Sequence, residues 1–265
     1  MTHAGSGSRG LGKGATIVVR EHHFIAGLAS ALVIVASSVS AQSGPAASLQ
    51  LVSDTGGGFW TVGSDGMTEW VDGGYQFSGS DSSDGWNVNW NMLGASGVND
   101  SITLNFTVTN LSSTTQTFFL FATQEIDALD ATFAGGSIAG SFTDLNGDGV
   151  TVTALDDDAI FTGFYDASDF DPFDGTVVGT LLDGAVGSAG TFLSGNFDGE
   201  AFGDFPVIPG AASGSVDFNF GIALRFDVSA GDTAAFTSGM AVSAIPAPAS
   251  LALAGLGGLG RRRRR

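Results

Sequence analysis

The chain has 265 residues, and 27 acidic residues against nine Lys and Arg give it a formal net charge of −18. Between Gln42 and Ile245 it contains no Lys, His or Cys, and Arg225 is the only basic residue, so this segment has a net charge of −25. These absences exclude Ser-His-Asp and Cys-His catalysis, thiolate or imidazole metal sites and disulfides from the segment. Its charge would repel phosphate backbones, so no nucleic-acid partner is expected. Carboxylate and carbonyl chemistry remains, which means calcium binding or a two-carboxylate glycosidase.

The first predicted element is a signal peptide region that occupies residues 1–41. Arg20 precedes the apolar run 24–39, which is the arrangement of a secretory signal peptide. Small residues end this run at Ala41, so cleavage is predicted between Ala41 and Gln42. An uncleaved N-terminal anchor is the alternative. In either case the export machinery is an expected partner and the rest of the chain is exported.

Residues 42–244 are predicted to form one β-sandwich domain. The most regular alternation of apolar and polar residues runs from Val216 to Val228 and predicts one long strand with one buried face. The alternating run Ile102–Thr109, the turn Asn110–Thr115 and the run Gln116–Thr123 predict a pair of partner strands. The second of these runs is apolar on both faces and should be central in its sheet.

Shorter strands are predicted along the rest of this domain, at Ser48–Ser53, Tyr75–Ser78, Trp86–Leu93, Gly136–Phe142, Val150–Leu155, Ile160–Tyr165, Thr176–Leu182 and Ala234–Val242. Short strands separated by Gly, Asp and Ser turns are typical of a β-sandwich with jelly-roll or Greek-key connections. A β-helix is the alternative, although the sequence has no fixed repeat.

The strand predicted at Trp86–Leu93 carries two kinds of side chain on its two faces. Trp86 and Trp90 share one face, and Asn87, Asn89 and Asn91 share the other. Exposed Trp rings stack on sugars and Asn side chains bind hydroxyls, so a platform for polysaccharide is one interpretation. The other interpretation places both Trp side chains in the core and leaves the Asn side chains in water.

A possible calcium loop begins at Asp144. Asp144, Asn146 and Asp148 present oxygen ligands at alternate positions, and Gly149 stands sixth, as at the start of a calcium loop. The twelfth position is Leu155 and not an acid, so a later Asp would have to complete the site. The same residues also favour a simple Asx turn between two strands. Calcium is the only cofactor that the sequence suggests.

Further acidic residues give weaker signals. The loop with Asp166, Asp169, Asp171 and Asp174 is predicted to be solvated and, as an alternative, to bind a cation. The domain has three Glu residues, Glu69, Glu125 and Glu200, and no spacing singles out a catalytic pair, so no enzyme is predicted. The high acidity itself fits solubility in a salty medium, binding of divalent cations, or self-repulsion at a surface.

The last predicted element is a sorting tail at residues 245–265. Pro246, Ala247 and Pro248 lead into a short apolar run that ends at Gly260 and predicts a short transmembrane helix. Five arginines then close the chain, Arg261, Arg262, Arg263, Arg264 and Arg265. As a helix, the run from Ala249 would be about 18 Å long, against about 30 Å for a bilayer core. The arginines should stay on the cytoplasmic side.

This tail resembles the PEP-CTERM sorting signal of exopolysaccharide-producing Gram-negative bacteria, with Ala247 where that family has Glu. The resemblance implies processing by an exosortase-type intramembrane protease, passage through the inner membrane, and delivery to the cell surface or the extracellular matrix. The exported domain is then expected to be structural or adhesive. The alternatives are a carbohydrate-binding module that acts on extracellular polysaccharide and a calcium-dependent surface protein.

Overall fold

The computed structural model describes residues 44–168, 174–205 and 210–246, and most of these residues are in β-strands. They form sixteen strands in two antiparallel sheets, with one short 3-10 turn at Leu155–Asp157. The predicted signal peptide helix and the predicted C-terminal transmembrane helix both lie outside the described residues. Within the described ranges, no helix has the length and apolar character needed to cross a membrane. The prediction of an all-β, sandwich-like domain is therefore confirmed.

The first sheet has eight strands. Its main path runs in the order β11-β10-β15-β7-β1-β2, and β9 pairs with both β15 and β12. All its pairings are antiparallel. Its strands are β1 (Ala47–Ser53), β2 (Gly56–Thr61), β7 (Gln116–Glu125), β9 (Val150–Ala154), β10 (Ala159–Tyr165), β11 (Thr176–Asp183), β12 (Val186–Ala189) and β15 (Asn219–Val228).

The second sheet also has eight strands. Its main path runs β13-β8-β16-β6-β5-β4-β3, and β14 pairs with β8 beside β13. The consecutive strands β3 to β6 form a meander, because each pairs with the next. The strands are β3 (Met67–Val71), β4 (Gly74–Ser82), β5 (Trp86–Ala95), β6 (Asp100–Asn110), β8 (Leu129–Thr143), β13 (Ser194–Phe202), β14 (Ala211–Val216) and β16 (Thr233–Ala244).

The two sheets share one hydrophobic core. The ring of Phe226 on β15 lies 4.8 Å from the ring of Phe236 on β16, which joins the centres of the two sheets. Trp60 on β2 stacks on Trp90 on β5 at 4.4 Å and closes the sandwich near its other side. Burial of each such aromatic side chain contributes about 1.5–3 kcal/mol, so this core stabilises the domain without disulfides.

The predicted pairing of Ile102–Thr109 with Gln116–Thr123 is wrong. β6 pairs with β5 and β16 in the second sheet, whereas β7 pairs with β1 and β15 in the first. The connection between them therefore crosses the sandwich. Asn110 holds it, because its Nδ2 donates to the carbonyls of Thr114, Val228 and Ser229 at 2.8–3.1 Å. The predicted central position of the apolar strand is confirmed, since β7 lies between β1 and β15.

The predicted long strand Val216–Val228 is interrupted. Residues up to Val216 belong to β14 in the second sheet and residues from Asn219 belong to β15 in the first. Between them, Asp166 Oδ1 accepts the backbone N–H groups of Asp217 and Phe218 at 2.8 and 2.9 Å. The Phe218 side chain is 50% exposed, so it does not continue the buried face that the alternation predicted.

Candidate metal centre

The loop between β8 and β9 is organised by the side chain of Asp144, which is only 3% exposed. Its Oδ1 accepts the N–H groups of Asn146 and Gly147 at 3.2 and 2.8 Å. Its Oδ2 accepts those of Gly149 and Phe192 at 3.1 and 2.6 Å. Gly147 and Gly149 adopt φ values of 90° and 94°, which favour glycine, and these values turn their N–H groups towards the carboxylate. Asp144 thus joins its own loop to the start of β13.

The charged form of Asp144 is favoured by these donors. Burial by itself raises the pKa of this carboxyl, but the four backbone N–H groups outweigh burial and hold the pKa below its ordinary value. A carboxylate offers about four lone-pair positions, so these N–H groups compete for the Asp144 oxygens with any bound cation. Asp144 is therefore an ionised group whose first role is to hold the loop.

Asp232 enters the same region from the turn between β15 and β16, and its side chain is fully buried. Its Oδ1 accepts the N–H of Leu145 at 3.2 Å, and its Oδ2 accepts the hydroxyl of Ser229 at 2.5 Å. Burial raises the pKa of Asp232, and the nearby charges of Asp144 and Asp148 raise it further, although the two hydrogen bonds oppose them. The fold thus places a buried carboxyl beside two other acids.

The three carboxylates meet in one cluster. One oxygen each of Asp144, Asp148 and Asp232 can be chosen so that all three lie within 4.8 Å of one another. Asp144 and Asp232 are buried, and Asp148 is exposed on the outer side of the cluster. Oxygen donors at this spacing suit a hard cation such as Ca²⁺, which takes six to eight oxygen ligands at about 2.3–2.6 Å. Backbone carbonyls and water would have to supply the remaining ligands.

The predicted calcium residues have different places in this arrangement. Asp144 and Asp148 lie together, as the loop spacing implies. The Asn146 amide instead ties the loop to the neighbouring turn, because its Nδ2 donates to the carbonyl of Ala230 at 2.8 Å and its Oδ1 accepts the N–H of Asp148 at 3.0 Å. The third carboxylate comes from Asp232, which sequence spacing could not find. Asp158, one of the acids available as a later ligand, pairs with Arg225.

The two tryptophans of β5 are core residues. Trp86 and Trp90 are only 2% and 4% exposed, while Asn87 and Asn89 on the other face of the strand are exposed. This confirms the interpretation in which both Trp side chains lie in the core. Neither ring offers a face on which a sugar could stack.

The other predicted acidic residues lie apart. Asp166 caps the start of β15, and Asp174 Oδ1 accepts the N–H of Ser168 at 2.9 Å. Asp169 and Asp171 lie outside the described residues. Glu69 is on β3 and Glu200 is on β13, at opposite edges of the second sheet, while Glu125 is on β7 in the first sheet. The strands therefore do not bring the three Glu residues into one cleft.

The predicted processing residues fall at the margins of the described structure. Ile245 donates its N–H to the carbonyl of Ala131 at 2.9 Å, one residue beyond β16, and Pro246 is the last described residue. Ala41, Gln42, Ala247, Pro248 and the five C-terminal arginines lie outside the described residues.

No protein-family model, no curated protein and no solved structure matches this chain. Its function must therefore be inferred from its own residues.

Proposed function

We propose that this chain is an exported protein of the cell surface or extracellular matrix, with a structural or adhesive β-sandwich domain that is not catalytic. A signal peptide at residues 1–41 would direct its export, and the PEP-CTERM-like tail from Ile245 would sort it through an exosortase-type protease. The observation that carries the proposal is that both predicted processing points lie outside the strands. The strands run from Ala47 to Ala244, after Gln42 and before Pro246.

This arrangement separates the sorting segments from the fold. Cleavage before Gln42 would leave β1 intact, and cleavage beyond Pro246 would leave β16 intact together with the hydrogen bond from Ile245 to Ala131. Neither event would remove a strand or a core side chain. The chain crosses between sheets from β6 to β7, from β7 to β8 and from β15 to β16, which supports Greek-key-like connections in this domain.

The test is truncation after Pro246 in a Gram-negative host that contains an exosortase. The truncated protein should be released to the periplasm or the medium with an unchanged melting temperature. A matched variant keeps the apolar run but replaces Arg261 to Arg265 with Gln, which removes only the basic stop. If both variants fractionate with the parent, the tail is not a sorting signal.

A second candidate function is that of a calcium-dependent surface protein. The cluster of Asp144, Asp148 and Asp232 favours it, because two of the three carboxylates are buried beside one another without a basic residue among them. A bound cation would offset their mutual repulsion. It would also join the loop between β8 and β9 to the turn between β15 and β16, and so stabilise one end of the sandwich.

A further inference from the structure

One part of the outward face of the second sheet has a composition unlike that of the rest of the domain. Across β4, β5, β6, β16 and β8, the strand registers align three rows of outward residues. We call these fifteen residues the polar face: Ser82, Asn87, Thr109, Thr233 and Thr143; Ser80, Asn89, Thr107, Ala235 and Ser141; Ser78, Asn91, Asn105, Thr237 and Ala139. Each of them is exposed or half-buried.

The polar face carries no charge, although it belongs to a segment whose net charge is −25. Thirteen of its fifteen residues are Ser, Thr or Asn, and the other two are Ala. The outward side of the first sheet differs, because it carries Arg225 and Asp227 on β15 and the rings of Phe59 and Phe119. Acidic side chains therefore cover other surfaces of the domain and are absent from these rows.

The sheet gives these groups a regular spacing. Neighbouring strands lie about 4.8 Å apart, and residues on one face of a strand repeat at about 6.8 Å. Several side chains are held by hydrogen bonds within the face. The hydroxyls of Thr109 and Thr233 are 2.8 Å apart, and Thr237 Oγ1 donates to Asn105 Oδ1 at 2.8 Å. The result is a regular array of hydroxyl and amide groups, each able to donate and to accept.

A shallow groove of about 400 Å³ runs along the middle of this array. Ala235 on β16 lies between Thr107 on β6 and Ser141 on β8, so its small side chain leaves a depression between longer polar ones. Asn105 and Thr237 line the same groove further along the strands. Its lining is uncharged and mixes these four polar residues with Ala139, Gly140, Phe106 and Phe236.

These properties select one kind of partner. A polyanion would be repelled by the acids elsewhere on the domain. A folded protein partner would need an apolar centre to its interface, which the three rows do not offer. An uncharged polysaccharide matches the array, because its hydroxyls also donate and accept, and many weak contacts along one chain add up through multivalency.

We propose that the polar face binds an uncharged polysaccharide, with one sugar chain lying in the groove over Ala235. This inference rests on the proposed adhesive role of the domain and names its ligand class. It does not depend on the sorting tail, so the outcome of the tail-truncation experiment neither supports nor contradicts it.

The experiment measures depletion of the purified full-length protein from solution by three insoluble or gelled polymers. Cellulose and curdlan are uncharged probes, and calcium-free alginic acid gel is an anionic one. The parent should bind at least one neutral polymer and should not bind the anionic gel. The double variant Asn89→Asp with Ser141→Asp places two charges on the polar face, and Ala235→Phe fills the groove without charge. Each should weaken retention at least tenfold.

The matched control is Thr176→Asp with Thr180→Asp, which adds two charges at exposed positions of β11 in the first sheet. It should bind like the parent. Melting temperatures verify that every variant is folded, and Ala235→Ser serves as a conservative groove variant that should retain binding. Failure of the parent to bind any neutral polymer, preference for the anionic gel, or full retention by both polar-face variants would overturn the proposal.

Discussion

Arg225 Nη1 donates to Asp158 Oδ2 at 2.9 Å and joins the middle of β15 to the residue just before β10. The guanidinium carbon also lies 5.4 Å from the centre of the Phe119 ring on β7. The Arg225 side chain is 15% exposed, whereas that of Asp158 is 60% exposed. Arg225 is the only basic residue among the described residues. Its side chain packs against the sheet, and its guanidinium pairs with the exposed Asp158 carboxylate at the surface.

Arg225→Gln should destabilise the domain by only about 1 kcal/mol. An exposed ion pair contributes about 0–1 kcal/mol, and a cation–π contact at a partly exposed site contributes about 0.5–1 kcal/mol. For a domain of this size the change corresponds to about 2–4 °C in melting temperature. Asp158→Asn provides the control for the ion pair, and raising the salt concentration should reduce the difference. A loss of several kcal/mol would show that Arg225 has a larger role.

Stability at high pH should depend on two tyrosines. Burial raises the pKa of Tyr75, and burial also raises that of Tyr165, although its hydrogen bonds with Ser213 and Thr132 oppose this. Between Gln42 and Ile245 there is no Lys or Cys to titrate in this range. Because both pKa values are raised in the folded state, the stability due to the neutral phenols is complete below the unfolded pKa of about 10 and is lost as pH rises above it.

Tyr75→Phe should reduce this alkaline loss. Burial raises the pKa of Tyr75 far above 10, so its removal should lower the slope by about 1.36 kcal/mol per pH unit above pH 10. The variant also loses the hydrogen bond from Tyr75 Oη to Gln124 Oε1, which should cost about 1–3 kcal/mol at pH 7. Urea unfolding from pH 8 to 11.5 measures both effects. An unchanged slope in the variant would contradict the prediction.

Millimolar calcium should raise the melting temperature at fixed high ionic strength, where general screening of the acidic surface is already saturated. A ligand at a hundred times its Kd stabilises by about 2.7 kcal/mol. Asp148→Asn should abolish this rise, because Asp148 is the exposed member of the cluster. Asp144 is a poorer choice for the test, since its replacement would release four backbone N–H groups.

The control for the calcium experiment is Asp183→Asn, which removes the same charge from an exposed position at the end of β11. It should respond to calcium like the parent, and melting in a chelator gives each variant its own calcium-free reference. Equal stabilisation of the parent and Asp148→Asn would show that the loop is only a turn and that calcium acts elsewhere on the surface.

Exported protein should begin at Gln42. Small residues before that position predict the cleavage, and β1 begins five residues later, at Ala47, so a peptidase would act outside the strand. Intact mass and N-terminal sequencing of protein from the periplasm and the medium provide the measurement. Recovery of mature protein that still carries residues 24–39 would indicate an N-terminal anchor instead.

The alternation of apolar and polar residues predicted the strands that bury one face, but it did not predict which strands pair with each other. β5 and β6 were found because buried and more exposed residues alternate along them. β2 and β13 were missed, because Gly56–Thr61 is half Gly and Ser194–Phe202 buries only Phe197. These segments are strands because they pair with β1 and β8, which is a property of the fold.

The sequence predicted only part of the candidate metal centre, because local patterns do not show which distant segments the fold brings together. Asp144 and Asp148 lie in one loop, so their spacing is visible in the sequence. Asp232 belongs to a turn far along the chain, and only the crossing from β15 to β16 brings it to the loop. In the sequence Gly231-Asp232 indicates a turn and nothing more. When the sheet topology brings two distant loops together, no local pattern in the sequence shows that they are in contact.

The place of β16 between β6 and β8 sets the order in which this domain can fold. β6 and β8 have no direct pairing with each other, so each keeps an open edge until the last strand of the domain has been synthesised. Contacts between segments so distant in sequence form slowly, and open strand edges invite pairing between chains. A nascent chain that stops within β16 should therefore aggregate, whereas one that stops just beyond it, at Pro246, has every strand it needs.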